Sequence, residues 1–381
     1  MAIVVAKITL WCCATLFLYA YVGYPVLVKI LALICRREEG VKQDVPVSVT
    51  VIVAAHNEGD AIADRLNNIA ALDVPIRATV EVIVASDGST DSTNEIVAAW
   101  SDPKVRLLTL PRGGRAMAHN RAAEIARGDI LVFTDARTSF RADFLSAILG
   151  HFSDPRVGCA VGRLVYATDR HTVAEDTGRY WTYETRLREW ESAAGLLTAG
   201  SGCCMAVRKQ LFRTLQPDED VDDAVPLDLL LGLHRIVFVR DAVVFDVAPS
   251  TLRDEILARA RMTVLCLTAL LRRGALLNPF RFPKAAVALL SHRILRYLTP
   301  VLACGAFLSS TILAMEPLYR SAFVIQVLFY LFAFVGLVIG KAGSAIAVFR
   351  VPMSFCAWNA GFAAGLLKVV RRQRITVYEP I

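Results

Sequence analysis

Four short runs rich in β-branched and apolar residues punctuate the middle of this chain: Val47–Ala55, Val80–Ser86, Val105–Leu110 and Ile130–Thr134. Helix-like stretches separate them, at Asp60–Leu72, Ser92–Trp100 and Arg115–Arg127. Strands that are apolar throughout, rather than alternating, are buried on both faces. Their alternation with helices predicts a parallel sheet with helices on either side. Ligands of such sheets bind at the carboxyl ends of the strands, near the point where the strand order reverses. The residues just past each run therefore matter most. They are His56-Asn57-Glu58, Asp87-Gly88-Ser89-Thr90-Asp91, Arg112-Gly113-Gly114-Arg115 and Asp135-Ala136-Arg137. Asp-Gly and Gly-Gly are ordinary turn chemistry one at a time. Acids and glycines at successive strand ends suit a nucleotide together with a metal ion. No G-x-G-x-x-G follows the first run and no Walker lysine loop occurs, which argues against a dehydrogenase or an ATPase.

The flanks are of a different kind. Hydrophobic residues make up 55% of the chain and the mean hydropathy is +0.47. That is above the soluble average of about 45–50% apolar. Ile8–Val28 carries no charge and is bounded by Lys7 and Lys29. It is long enough for a membrane span and too long for the apolar core of a signal peptide. Arg36 and Arg37 follow it, so the positive-inside rule places the next region in the cytoplasm. Near the other end, Tyr297–Met315 and Ser321–Gly340 read as spans. Val351–Leu367 is shorter, contains Pro352 and Asn359, and is left open as crossing, re-entrant or flat. Arg371, Arg372 and Arg374 favour a cytoplasmic carboxyl end, which one span before the middle region and two after it satisfy. Thr251–Leu271 mixes leucines with Arg259 and Arg261; it suits an interfacial amphipathic helix or a solvated helix of the central domain. The net charge of +7 belongs with such a membrane layout. A nucleic-acid partner is not expected, because no basic run is interleaved with stacking aromatics. The nine cysteines include no C-x-x-C pair, so no zinc ribbon or redox motif is offered, and reduced thiols facing the cytosol are the simple reading.

In order along the chain, VIVAAHNEGDAI, VASDGSTDST, RGGRAMAHNRA and ILVFTDART resemble glycosyltransferase family 2. TAGSGCCMAVRKQLF resembles that family's acceptor-side segment, and VDDAVPLDLLLGLHRIVFVRDAVV its catalytic-base segment. The resemblance runs from about Pro46 to Arg261. It implies an inverting enzyme with a GT-A (nucleotide-diphosphosugar transferase, Rossmann-like) α/β domain carrying N-terminal and C-terminal transmembrane helices. The expected division is an anchor at 1–35, a cytoplasmic GT-A domain at 46–250, amphipathic helices at 251–285, a membrane region at 286–370 and a tail at 371–381.

The resemblance also implies roles, position by position. Asp87 contacts the nucleotide base and ribose, with Ala55, Asn57 and Glu58 lining the same pocket. Arg115 stands where the family usually has lysine after Gly-Gly. Asp135 is the first acid of the D-x-D element and binds the metal, Mg²⁺ or Mn²⁺, that bridges the diphosphate. Asp223 is the general base, preceded by Asp222. Gly200, Ser201 and Gly202 lie on the acceptor side. Arg259 and Arg261 hold the diphosphate leaving group. An inverting transfer requires such a base and such positive charge, and a hard cation takes oxygen ligands. Asp222 and Asp223 also suit a helix N-terminus.

Two positions depart from the family pattern. The third position of the D-x-D element is Arg137, which leaves either a weaker metal site or direct neutralisation of phosphate by that arginine. The Q-x-x-R-W signature of processive synthases is replaced by ARARMTV. The implied function is transfer of a sugar from a nucleotide-diphosphate donor, a UDP-sugar foremost, to a lipid-linked or glycan acceptor at the inner face of the plasma membrane. The alternatives are a processive polysaccharide synthase and a non-catalytic scaffold subunit. Trp181, Tyr183 and Trp190 are open to a sugar or lipid contact.

Overall fold

The computed structural model describes residues 1–35, 47–167, 173–247, 251–340 and 346–377, with only the backbone for 167 and 173–181. Arg36 and Arg37 lie outside the described residues, as does the side chain of Trp181. The strands are β1 (Val47–Ala55), β2 (Ala78–Asp87), β3 (Val105–Leu110), β4 (Ile130–Asp135), β5 (Ser139–Phe140), β6 (Val157–Ala167), β7 (Met205–Arg208) and β8 (Arg235–Val247). They form one sheet in the order β3-β2-β1-β4-β7-β6-β8-β5. The first four are parallel, with Ser86 beside Ala55 and Asp135 beside Ala54. The four expected runs are thus strands, and the three expected helices form as Ile62–Ala70, Thr93–Ala98 and Arg115–Ile125.

The parallel pattern breaks at β7, which runs antiparallel to both β4 and β6. The segment before it, 200–204, sits at the carboxyl end of β4, where the Thr134 hydroxyl donates to the Cys203 carbonyl over 3.1 Å. A strand leaving from that end has to run back against β4.

Both faces of the central strands are covered, as their unbroken apolar character requires. Val49, Val51 and Val53 pack on Ile62, Leu66 and Ile69 of one helix and on Phe144, Leu145 and Ile148 of another. On the opposite face Ile52, Ile83, Leu131 and Phe133 meet the alanines of helix Arg115–Ile125 and the apolar side of helix Val221–Leu231. That second layer continues into Ala269, Leu270 and Leu276, so the sheet's core runs without a break into the carboxyl-terminal helices.

Ala2–Ile34, Pro317–Ile339 and Ala347–Val370 are long and apolar enough to cross a membrane, and Pro283–Tyr297 with Thr299–Ile312 makes a fourth such unit bent by 59°. Leu10 of the first helix packs with Leu313, and Lys7 pairs with Glu316 at 2.8 Å. Tyr183 donates to the Tyr21 carbonyl, and Lys29 lies 5.6 Å from the Trp190 ring centre. These two aromatics therefore fasten helix Val173–Ala194 to the first apolar helix.

Helix Leu252–Arg272 is half buried, and its closest partner is helix Ala347–Val370. Two glycines four residues apart permit this approach, in the small-residue manner of apolar helix pairs. A Cβ on Gly361 would lie 2.6 Å from the Arg259 Cβ and 2.8 Å from the Ile256 carbonyl oxygen. On Gly365 it would lie 2.6 Å from the Thr263 Cβ. Gly361→Leu is therefore expected to cost about 1–3 kcal/mol through overpacking. The check is a lower thermal midpoint in the detergent-solubilised protein; an unchanged midpoint would mean that the helices do not meet there.

Candidate functional site

The strand order reverses between β1 and β4: from β1 the chain goes to β2 and β3 on one side, then crosses to β4 on the other. At the carboxyl ends of these strands lies a pocket of about 250 Å³. Ala55, Glu58, Asp87, Arg115, Asp135, Arg137 and Arg261 all line it, as do Arg112 and Asp246. The fold thus gathers into one place residues from six separate segments of the chain.

Asp87 is the pocket's fixed point. Its carboxylate accepts the Gly113 N–H at 2.7 Å, the Gly114 N–H at 3.0 Å and a 2.7 Å ionic hydrogen bond from Arg112. Gly114 has φ +89, a left-handed conformation that glycine tolerates. The carboxyl-terminal segment also crosses here, and a Cβ on Gly114 would collide with the Thr376 carbonyl. Farther along, Arg374 reaches Asp218 at 3.5 Å. Helix Arg115–Ile125 starts at this turn, which aims Arg115 back across the pocket. Arg115 bonds Asp135 at 2.5 Å and lies 3.5 Å from Asp220.

On the β1 side, His56 Nδ1 lies 2.7 Å from the Asp87 carbonyl. Asn57, with φ +54, accepts the Thr90 N–H at 2.9 Å and donates its own N–H to Ser89. It ties the ends of β1 and β2 together and is not among the residues lining the pocket. Glu58 is buried and bonds Arg137 at 2.7 Å, while the Arg137 side chain stays 60% exposed.

Asp222 and Asp223 lie in the first turn of helix Val221–Leu231, which Asp220 caps by accepting the Val221 N–H. Pro226 sits within this helix. It has no N–H to offer the carbonyl four residues before it. That carbonyl, of Asp222, instead accepts the Gly200 N–H at 2.7 Å. The missing helical bond thereby holds the Gly200–Gly202 loop against the two acids. A Cβ on Gly202 would collide with Asp222 Oδ1 and lie 2.8 Å from an Arg115 nitrogen. Ser201 is buried, its hydroxyl 3.3 Å from Cys203 Sγ.

The two acids face different ways. Asp222 turns toward Arg115. Burial pushes its pKa up to about 7, with Asp220 adding to the rise and Arg115 opposing it. Asp223 turns toward Arg293, 3.8 Å away; burial raises its pKa and Arg293 opposes the rise. Arg261 and Arg259, two residues apart on one helix, are separated in the same way. Arg261 lines the first pocket. Arg259 is buried, bonded to Glu255 at 2.8 Å, and lines a second cavity that also receives Arg293.

Asp246 was not singled out in the sequence. It ends β8, beyond the strand's register with β5, and lines the pocket. Burial pushes its pKa up to about 6, and the nearby Asp135 carboxylate adds to the rise. The only signal in the sequence is an acid closing an apolar strand.

Among the described residues no cluster of three or more His, Cys, Asp or Glu is placed to hold a metal ion. Mg²⁺-type sites, however, commonly use one or two carboxylates together with substrate phosphates. Asp135 and Asp246, facing one pocket and repelling each other, fit a cation of that kind.

Asp87→Ala leaves the Gly113 and Gly114 amides without their acceptor, and an unsatisfied buried donor costs about 1–3 kcal/mol. Amide hydrogen exchange across residues 112–116 is therefore expected to speed up by roughly tenfold or more. Unchanged exchange would show that the turn holds without this carboxylate.

Residues 50–216 match the glycosyl transferase family 2 model. An N-acetylglucosaminyltransferase of Rhizobium meliloti is 27% identical over 233 residues, covering 56% of this chain and 54% of that protein. The succinoglycan biosynthesis protein ExoO of the same organism is 37% identical over 102 residues, 26% of this chain and 28% of that one. The chain spans about half the length of the N-acetylglucosaminyltransferases it matches. Among solved structures, the mannosyltransferase PcManGT of Pyrobaculum calidifontis, in complex with GDP-Man and Mn²⁺, superposes with a TM-score of 0.69. The superposition covers 96% of this chain and 100% of that one at 22% identity. The match in sequence and the likeness in fold agree with the order of strand-end motifs: the chain carries a glycosyltransferase family 2 domain, built on the GT-A fold.

Proposed function

We propose that this chain is a membrane-bound inverting glycosyltransferase. It takes a sugar from a nucleotide-diphosphate donor, a UDP-sugar foremost, and passes it to a lipid-linked or glycan acceptor at the inner face of the plasma membrane, in the synthesis of a surface polysaccharide or glycolipid. The observation that carries this reading is the pair of adjacent, partly buried acids turned to two different arginines. Asp222 interacts with Arg115, which lines the pocket at the switch point, and Asp223 stands 3.8 Å from Arg293 of the bent apolar unit. A donor and an acceptor meeting at one carbon need that arrangement.

In this reading the nucleotide lies against Asp87, Ala55 and Glu58, with Asn57 holding the loop that supports them. Arg115 and Arg261 lie along the diphosphate, and Arg137 reaches it when it leaves Glu58. Asp135 and Asp246 would hold a divalent cation, Mg²⁺ or Mn²⁺, which would offset the charge on the departing diphosphate. Asp223 accepts the proton of the acceptor hydroxyl. The acceptor oxygen bonds to the anomeric carbon as the bond from that carbon to the phosphate oxygen breaks. The leaving group is the nucleoside diphosphate, and the configuration inverts. Arginines around the phosphates stabilise the charge that develops there. The Gly200–Gly202 loop, tied to the Asp222 carbonyl, forms the wall between donor and acceptor. Docking on a membrane raises the effective concentration of a lipid-borne acceptor.

The test is transfer of radiolabel from a panel of nucleotide sugars into membrane lipid extract by the purified protein. Asp223→Asn is expected to retain nucleotide binding and lose transfer by about a hundredfold or more, the scale of general-base catalysis. Full residual transfer would place the base elsewhere. Asp135→Ala is expected to weaken metal-dependent donor binding; unchanged metal dependence would remove Asp135 from the site. A polymeric product would favour the processive alternative. Absence of both transfer and nucleotide binding would favour a scaffold subunit.

The raised Asp222 pKa has its own consequence. The folded chain keeps this proton up to about pH 7, whereas an ordinary carboxyl releases it near 3.8. Folding therefore binds a proton between those values, and stability falls as pH rises through that window. Asp222→Asn is expected to flatten the slope of thermal midpoint against pH; an unaltered slope would mean that Asp222 is not the group responsible.

A further inference from the structure

Among the largest side chains sealed inside this protein is a charged one, Arg65 of helix Ile62–Ala70, which is 1% exposed. Its contacts are neutral. Nη1 donates to Asn68 Oδ1, Nη2 donates to Thr134 Oγ1 at 2.7 Å, and the guanidinium carbon lies 4.0 Å from the centre of the Phe140 ring. Nε has no hydrogen-bond partner among the described residues. No carboxylate among them pairs with Arg65 either; the acid whose charge it feels most is Asp135. Burial lowers its pKa to about 9, so it remains a cation at neutral pH. A buried cation without an ion-pair partner is a liability for folding, and an apolar side chain of similar length would pack there at lower cost. Stability alone therefore does not account for Arg65.

Its two forks reach the two elements that carry the candidate cation ligands. Toward Asp135 it acts through Thr134. A guanidinium only donates, so the Thr134 hydroxyl accepts from it and keeps its single proton for the Cys203 carbonyl at 3.1 Å. That hydroxyl is thereby held from both sides, one residue before Asp135. Thr138, at the far end of the same turn, donates to the Asp135 carbonyl over 3.0 Å. Toward Asp246 it acts through Asn68 and Phe140. Asn68 accepts the Phe140 N–H at 2.8 Å and donates to the Phe140 carbonyl at 2.9 Å, and the Phe140 ring lies against the guanidinium. Phe140 belongs to β5, whose partners in β8 are Val244 and Phe245; Asp246 is the next residue. The two acids repel each other, so their strands need a tie to keep a fixed separation. Arg65 supplies one from inside the core, and it is not among the residues lining the pocket.

We propose that Arg65 is a positioning residue for the cation site: its planar fork spans Thr134 and Asn68 and so sets the spacing of Asp135 and Asp246. The assignment rests on Asp135 and Asp246 being the carboxylates of that site. Methionine at this position would break the tie without stranding an acceptor, because Thr134 keeps its bond to Cys203 and Asn68 keeps both bonds to Phe140. Lysine would keep the charge but donate from a single atom in place of a fork.

The experiment uses the full-length protein in detergent. It measures binding of Mn²⁺ alone, through loss of the free ion's paramagnetic resonance signal, and UDP affinity with Mn²⁺ and with chelator. Thermal midpoints are taken in parallel. Arg65→Met is expected to weaken Mn²⁺ binding at least tenfold, and to reduce by as much the gain in UDP affinity that Mn²⁺ brings. UDP affinity in chelator is expected to shift less than twofold, since the Asp87 side of the pocket is untouched. The midpoint is expected to move by no more than about 3 °C. Arg65→Lys is expected to recover part of the loss in Mn²⁺ binding. Undiminished Mn²⁺ binding in the methionine variant overturns the proposal. So does an equal loss of UDP affinity with Mn²⁺ and with chelator. A midpoint lowered by more than about 10 °C, or a methionine variant that does not fold, would make Arg65 a structural residue and overturns the proposal as well. If the unaltered protein binds UDP but no Mn²⁺, there is no cation site for Arg65 to set; the proposal falls and the donor reading stands. Mn²⁺ binding that the methionine variant loses, without any UDP binding, would uphold Arg65 and count against the donor reading instead.

Discussion

The reversal of strand order between β1 and β4 is the constraint on which the rest of this structure depends. Parallel strands deliver all their carboxyl ends to one edge, and the reversal opens that edge by sending neighbouring connections to opposite faces. Every polar device of the first pocket hangs from that opening. Asp87 and Asp135 end strands on either side of β1. The glycine turn that Asp87 grips starts the helix that carries Arg115, and Arg115 returns to Asp135. Carboxylates and guanidinium groups thus face each other across a gap that packing alone would have closed. The apolar faces of the same strands, buried on both sides, hold the gap at fixed width.

A second constraint joins this pocket to the apolar helices. A helix that contains proline has one carbonyl it cannot satisfy internally. In helix Val221–Leu231 that carbonyl is Asp222, and the loop at Gly200 takes it. One side chain of the adjacent acids then turns toward Arg115 and the next toward Arg293, because successive helical residues point about 100° apart. Helix Leu252–Arg272 repeats the division through Arg261 and Arg259. It can do so because Gly361 and Gly365 let helix Ala347–Val370 press directly onto its backbone. The carboxyl-terminal segment then extends past this helix and returns to Gly114.

What was legible in the sequence follows the range of the interactions concerned. Strands β1 to β4 and the intervening helices were visible because each is specified by residues within its own run. Strand-end acids were visible for the same reason. The antiparallel β7 was not, since its direction is decided by where the preceding loop docks rather than by its four residues. Asp246 escaped notice because a single acid at the end of a strand looks like any solvated terminus; only the fold brings it opposite Asp135. Arg188 and Arg293 were not singled out, because their convergence depends on helices about a hundred residues apart. The pairing of Arg259 with Arg261 was natural in a linear reading. It fails geometrically because two residues on a helix stand about 200° apart, which puts their side chains on opposite sides.

The two cavities differ in how their charge is compensated, and this difference bears on the order of events. In the first, arginine and carboxylate pair across an open space: Arg115 with Asp135, Arg137 with Glu58. Arg137 is largely exposed while its partner Glu58 is buried, so this pair stands at the rim of the pocket. In the second, the ion pairs are buried, and breaking one leaves an uncompensated charge in a medium of low dielectric. An anion entering there must replace the carboxylate contacts it displaces nearly one for one. Asp223 stands between the two cavities with Arg293 at 3.8 Å. Movement of the bent unit that carries Arg293 changes the electrostatic environment of this acid directly. The second cavity and Asp223 are in this way linked through one arginine.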